Sequence, residues 1–129
     1  MTVAERILLL RDTPPFDRLY DSELGPVAEA CLERTFAPGA LVAAEGGVLS
    51  HLHVVTEGGV EMEEHGPLPP VFGTSALLLG TPLEKALVAS QDTGATCLLL
   101  RRPHFFTLVA ECPWLLPGFV DQGSPRAGE

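Results

Sequence analysis

Leu41-Val42-Ala43-Ala44-Glu45-Gly46-Gly47, followed by Leu52-His53-Val54-Val55-Thr56-Glu57-Gly58-Gly59-Val60-Glu61-Met62-Glu63-Glu64, is the stretch that decides the fold. Its apolar pieces, Leu41–Ala44, Leu52–Thr56 and Val60–Glu64, are of strand length, too short for stable helices, and a pair of glycines follows each of the first two. Paired glycines supply the positive φ angles that tight turns between strands demand. Residues Lys85–Ala89 and Thr96–Leu100 repeat the pattern, joined by the turn-forming Gln91-Asp92-Thr93-Gly94. Short strands at this spacing predict an antiparallel sandwich, β-roll or jelly-roll barrel.

Outward from the strands the periodicity becomes helical. Leu24, Val27, Ala28, Cys31 and Leu32 recur at three- and four-residue spacing behind Ser22, which is placed to cap a helix. An earlier amphipathic segment, Val3–Leu10, is broken by Thr13-Pro14-Pro15, and Phe36-Ala37-Pro38-Gly39 closes the helical part. On the other side a helix is expected from Pro103 through Phe105, Phe106, Leu108 and Val109 until Pro113. Trp114–Val120 adds a short turn, and Gly123–Glu129 reads as a frayed tail. The expected organisation is one mainly β domain over 1–122, with helices over 2–34, a β-roll over 35–102 and a C-terminal helix over 103–121.

Composition restricts the function. With 129 residues and a formal net charge of −9, a partner with a phosphate backbone is disfavoured, so no nucleic acid is expected. Apolar runs such as Ile7-Leu8-Leu9-Leu10 fall short of a membrane span, and Glu5 interrupts any leader, so no membrane contact and a cytoplasmic location are expected. Cys31, Cys97 and Cys112 are odd in number and widely spaced, which suits buried apolar residues better than a disulfide framework or zinc site.

The order of these features resembles the cyclic nucleotide-binding domain family. The resemblance rests on Pro15-Phe16, Phe36-Ala37-Pro38-Gly39, Glu45-Gly46, Leu52, Val54, Val55, Gly58, Val60, Val71-Phe72-Gly73, Ala76-Leu77-Leu78, Pro82, Asp92-Thr93 and Leu98–Phe106, and it covers residues 15–120. It implies a β-roll with helices before and after, and a phosphate-binding cassette between two strands. In that family a Phe-Gly-Glu segment opens a short helix, its Glu accepts from the ribose, and an Arg after a proline pairs with the cyclic phosphate.

Here the cassette reads Phe72-Gly73-Thr74-Ser75-Ala76-Leu77-Leu78-Leu79-Gly80-Thr81-Pro82-Leu83-Glu84-Lys85-Ala86. Its candidate ligand-facing positions are Phe72, Gly73, Thr74, Ser75, Ala76, Leu83 and Glu84. Thr74 replaces the ribose-binding Glu, Leu83 the phosphate-binding Arg, and Glu84 the small residue after it. Each lost charge-assisted bond removes about 1.5–3 kcal/mol. Between Arg34 and Arg101 only Lys85 is basic, against Glu45, Glu57, Glu61, Glu63, Glu64, Glu84 and Asp92. On strand alternation Glu84 and Lys85 point to opposite faces, so at most one faces the pocket.

The remaining chemistry is sparse. His51 and His53 form His-x-His with Glu57 beyond, a weak candidate metal set of the cupin kind. Gly46 lies one residue too close and the second histidine motif is missing. Neither Ser50 beside His51 nor Cys112 near His104 comes with an oxyanion-hole motif, so no enzyme activity and no cofactor are expected. Gly66-Pro67-Leu68-Pro69-Pro70 reads as a stiff connector. Phe105, Phe106, Trp114, Leu115, Leu116 and Phe119 gather at the C-terminal end, where a leftover apolar stripe would serve a homodimer or an unknown protein partner.

The expected function is a stand-alone, degenerate regulatory or protein-interaction module that lacks an output domain and does not bind cAMP or cGMP tightly. The alternatives are a small-ligand sensor, for a cyclic nucleotide or a non-phosphate ligand, and, more remotely, a metal-dependent cupin-like enzyme.

Overall fold

The computed structural model describes residues 1–123, so the tail expected over Gly123–Glu129 lies, beyond Gly123, outside the described residues. Helix α1 (Val3–Arg11) starts from a capping box, with the Glu5 N–H donating to Thr2 Oγ1 at 3.1 Å and the Thr2 N–H donating to Glu5 Oε1 at 2.9 Å. A 3₁₀ turn, Phe16–Arg18, leads into α2 (Asp21–Ala30). The cap position is Tyr20, whose N–H donates to Glu23 Oε1 at 2.9 Å, and Ser22 lies inside the helix.

The helical segment expected over 2–34 ends early, because β1 (Leu32–Phe36) already pairs antiparallel with residues 95–99. Leu32 continues the helical spacing of Leu24 and Ala28, but ladder bonds to a distant strand outweigh that local pattern. Then follow β2 (Leu41–Ala43), β3 (His51–Gly58), β4 (Val60–Met62), β5 (Gly66–Pro67), β6 (Val71–Phe72), α3 (Thr74–Leu79), β7 (Leu87–Ala89) and β8 (Ala95–Arg101). The proline-rich connector therefore contributes β5, while Leu68-Pro69-Pro70 carries the chain on to β6. Helix α4 (Arg102–Glu111) has Pro103 in its first turn and stops before Pro113, as expected. A 3₁₀ turn, Pro113–Leu115, and α5 (Leu116–Gly123) complete the described chain.

The strands form two four-stranded antiparallel sheets, ordered β1-β8-β3-β6 and β2-β7-β4-β5. They make a β-roll with flanking helices rather than a closed barrel. Strands β3 and β8 form the longest ladder, running from His51↔Arg101 to Gly58↔Ala95 with an irregularity between Val55 and Glu57. The turn after β3 depends on glycine: Gly58 has φ +72°, and a Cβ there would collide with the Gly94 carbonyl oxygen.

Alternation along β8 explains why its sequence is almost continuously apolar. Leu98 and Leu100 join Leu52 and Val54 in a core shared with Phe16, Leu24, Phe105, Leu115 and Phe119 from the helical part. Ala95, Cys97 and Leu99 face the other way, into a core with Phe36, Leu49, Val60, Phe72, Ala76, Leu87 and Ala89. A strand buried on both faces loses the polar alternation of a half-exposed one. Among the described residues no helix is long and apolar enough to cross a membrane.

Candidate functional site

The cassette has the shape the resemblance implies. Strand β6 delivers Phe72, the chain turns at Gly73 with φ +106°, α3 occupies six residues, and Gly80 ends it in the left-handed conformation. The backbone angle calls for glycine, and a Cβ on Gly73 would sit a tight 3.0 Å from the His51 carbonyl oxygen. Phe72, Gly73, Thr74 and Ala76 are buried and Ser75 is half-buried.

At positions 74 and 83, where the resemblance implies charged contacts, the side chains are a threonine and a leucine. Leu83 is half-buried against the core of Phe36, Phe72, Ala76 and Leu99. Its backbone is held on both sides, the Leu83 N–H donating to Gly47 O at 2.9 Å and the Gly46 N–H donating to Leu83 O at 2.8 Å. The turn at Glu45-Gly46-Gly47 thus fixes where side chain 83 projects. Thr74 is 1% exposed, and its hydroxyl has no hydrogen-bond partner among the described residues. A buried hydroxyl left unpaired costs about 1–3 kcal/mol.

Glu84 and Lys85 correct the alternation argument. Residues 81–86 are not strand, since β7 begins only at Leu87, and Glu84 and Lys85 share a bend. Both reach the turn after β4. Lys85 Nζ lies 2.7 Å from Glu64 Oε2, and His65 Nε2 lies 3.7 Å from Glu84 Oε2. The Glu64 pairing raises the Lys85 pKa and lowers that of Glu64. The one lysine of the roll is therefore committed to a surface ion pair.

The candidate metal trio does not assemble. His51 and His53 share one face of β3, but Glu57 lies beyond the irregularity after Val55 and is exposed, and no group of three potential ligands forms among the described residues. His53 is 5% exposed and stacks on Phe72, with ring centroids 4.7 Å apart and 14° between planes. Its Nδ1 lies 3.0 Å from the His51 carbonyl oxygen. A carbonyl can only accept, so Nδ1 carries the proton. Burial pushes the His53 pKa down to about 4, against the raising effect of that bond. His53 is a neutral aromatic side chain of the roll interior.

His51 is half-buried, its Nδ1 2.9 Å from Ser50 Oγ, and burial, then the charges of Arg101 and Arg34, lower its pKa. Along the chain these two arginines bound the acidic interval 35–100. The register of β1, β8 and β3 brings them onto the face that carries His51 and His53.

In the C-terminal apolar group, Phe105, Leu115 and Phe119 are fully buried, and Phe119 stacks edge-on against Phe16 and Phe105 at 5.3 Å. Phe106 and Trp114 remain partly exposed. A half-open groove of about 250 Å³ lies between α2 and α4, over Val27, Leu100 and Leu108, with Glu23 and Cys112 at its side. Cys112 Sγ donates to Glu23 Oε2 at 3.4 Å, and burial, reinforced by that carboxylate, pushes its pKa up to about 11.

No protein-family model matches the sequence, and no curated protein matches it either. Solved structures do. The regulatory domain of Toxoplasma gondii PKA, solved with cAMP, is 22% identical with a TM-score of 0.71, over 89% of this chain and 48% of that one. The Thermus thermophilus catabolite activator protein is 21% identical with a TM-score of 0.67, over 84% and 55%. The regulatory subunit of a cAMP-independent protein kinase A from Trypanosoma brucei, a triple mutant bound to cAMP in its A site, is 21% identical with a TM-score of 0.73, over 89% and 46%. The chain spans about half the length of these structures. It has the fold of cyclic nucleotide-binding regulatory domains.

Proposed function

We propose that this chain, built on the cyclic nucleotide-binding fold, is a non-catalytic cytoplasmic regulatory module that acts through protein contacts and does not bind cAMP or cGMP tightly. One observation carries the reading: Leu83, at the position the resemblance assigns to the phosphate-binding cation, packs half-buried against the apolar core with its backbone pinned to Gly46 and Gly47. The cyclic phosphate would meet no cation there, and Glu84 beside it adds a negative charge. Lys85 cannot substitute without leaving Glu64. Isothermal titration with cAMP and with cGMP tests the reading. Binding weaker than about 1 mM, or less than roughly 4 kcal/mol, is expected, and a micromolar constant for either nucleotide overturns it.

A second reading, a sensor of a neutral small ligand, is favoured by Thr74. Its buried hydroxyl lacks a partner at the entrance to α3, where a ligand hydroxyl or carbonyl would satisfy it. A thermal-shift screen of uncharged metabolites on the wild-type and Thr74→Val proteins separates the two. A stabilising compound whose effect vanishes in the variant supports the sensor.

A further inference from the structure

We propose that the sheet face around Arg34 and Arg101 docks an acidic, partly apolar protein segment. The register builds this face in rows. Arg101 lies directly opposite His51, Leu32, Leu99, His53 and Phe72 form the next row across four strands, and Arg34 lies opposite Cys97 in the row after. Alternation puts all of these on one face. The inner part of that face is covered, since Leu99 and His53 are about 5% exposed. At its margin Leu32 is 54% exposed, Arg34 and Arg101 are exposed, and His51 is half-buried.

The charge here is uncompensated. Among the described residues neither arginine makes an ion pair, and the Arg34 guanidinium instead lies 5.2 Å from the centre of the Phe36 ring. Glu33, between Leu32 and Arg34, points to the opposite face and binds the N-terminal amine at 3.1 Å. The charges that act on His51 are Arg101 and Arg34, with no carboxylate among them. A chain of net charge −9 thus carries two unpaired guanidiniums on one sheet face, beside an exposed leucine and the exposed edge strand β1.

Carboxylates fit the guanidinium forks, an apolar side chain fits Leu32, and the outer edge of β1, unpaired with any strand among the described residues, can add one. Overall negative charge disfavours a long polyanion such as nucleic acid, so a short acidic protein segment is the occupant. This inference does not rest on the state of the cassette.

The test uses a short fluorescent peptide alternating Glu and Leu, and the same peptide with Lys for Glu. The acidic peptide should bind, shift the NMR amide signals of Leu32–Phe36 and His51, and weaken about tenfold or more as salt rises from about 50 to 300 mM. Arg34→Glu with Arg101→Glu should reduce binding at least about tenfold, and Arg34→Gln with Arg101→Gln, a gentler pair should the first misfold, by a smaller factor. Absence of binding, equal binding of the basic peptide, or unchanged affinity in the folded variants overturns the proposal. So does displacement by inorganic phosphate at concentrations comparable to the peptide, which would make this a small-anion site, or tighter binding of single-stranded nucleic acid.

Discussion

Placing an arginine at position 83 and removing the carboxylate at 84 should create cyclic-nucleotide affinity, because the backbone at 83 is already held in place. In Leu83→Arg with Glu84→Ser, the guanidinium would project from a residue whose N–H and carbonyl are both bonded to the Gly46-Gly47 turn. A charge-assisted bond to the phosphate contributes about 1.5–3 kcal/mol. Removing the Glu84 carboxylate relieves about 0.5–1 kcal/mol more of repulsion at this exposed position. The sum, about 2–4 kcal/mol, corresponds to roughly 30- to 1,000-fold tighter binding. Stability falls modestly. Leu83 is only half-buried, so its loss costs about 1 kcal/mol of apolar burial, and the Glu84 contact to His65 is a long surface pair of little worth. Adding Thr74→Glu supplies the ribose acceptor, but Thr74 is 1% exposed, so this third change costs stability in the unliganded protein that ligand recovers. Titration calorimetry and ligand-dependent melting should therefore be run on the double and the triple variant, with circular dichroism to show that each is folded. A folded double variant with no gain for cAMP or cGMP would show that the apolar interior, and not the missing cation, excludes the nucleotide.

Three further outcomes follow from the same residues. Thr74→Val replaces a buried unpaired hydroxyl with an isosteric methyl and should raise stability by about 1 kcal/mol, seen as a melting temperature higher by a few degrees. Gly73→Ala must adopt φ +106° and approach the His51 carbonyl, and should lower stability by about 2 kcal/mol in chemical denaturation. His53 stays neutral in the fold down to about pH 4, whereas the unfolded chain takes up a proton near 6.5, so stability is lost as pH falls through that window. The loss should reach about 3 kcal/mol at the acid end, and His53→Phe, which keeps the ring against Phe72, should remove that part of the slope in urea titrations at pH 7, 5.5 and 4.

The β-roll was legible because its signals are local: glycine pairs after short apolar runs, and Pro103 and Pro113 bounding a helix. Leu32–Arg34 was misread as helix because Leu32 extends a three- and four-residue apolar spacing, and only the ladder to β8, more than sixty residues away, reassigns it. The glycine-bounded short helix after Phe72 was legible, while the fate of the side chains around it was not. That Lys85 turns out to Glu64 depends on a bend, which alternation cannot foresee. The same limit hid the arginine corner. A charge count taken along the chain describes the roll as acidic, yet antiparallel pairing folds Arg34 and Arg101, at the two ends of that segment, onto one face with His51. An acidic interval bounded by two arginines is therefore not an acidic surface. On this roll the unpaired guanidiniums of Arg34 and Arg101 stand on the sheet of β1, β8 and β3, whereas position 83 of the cassette carries a leucine.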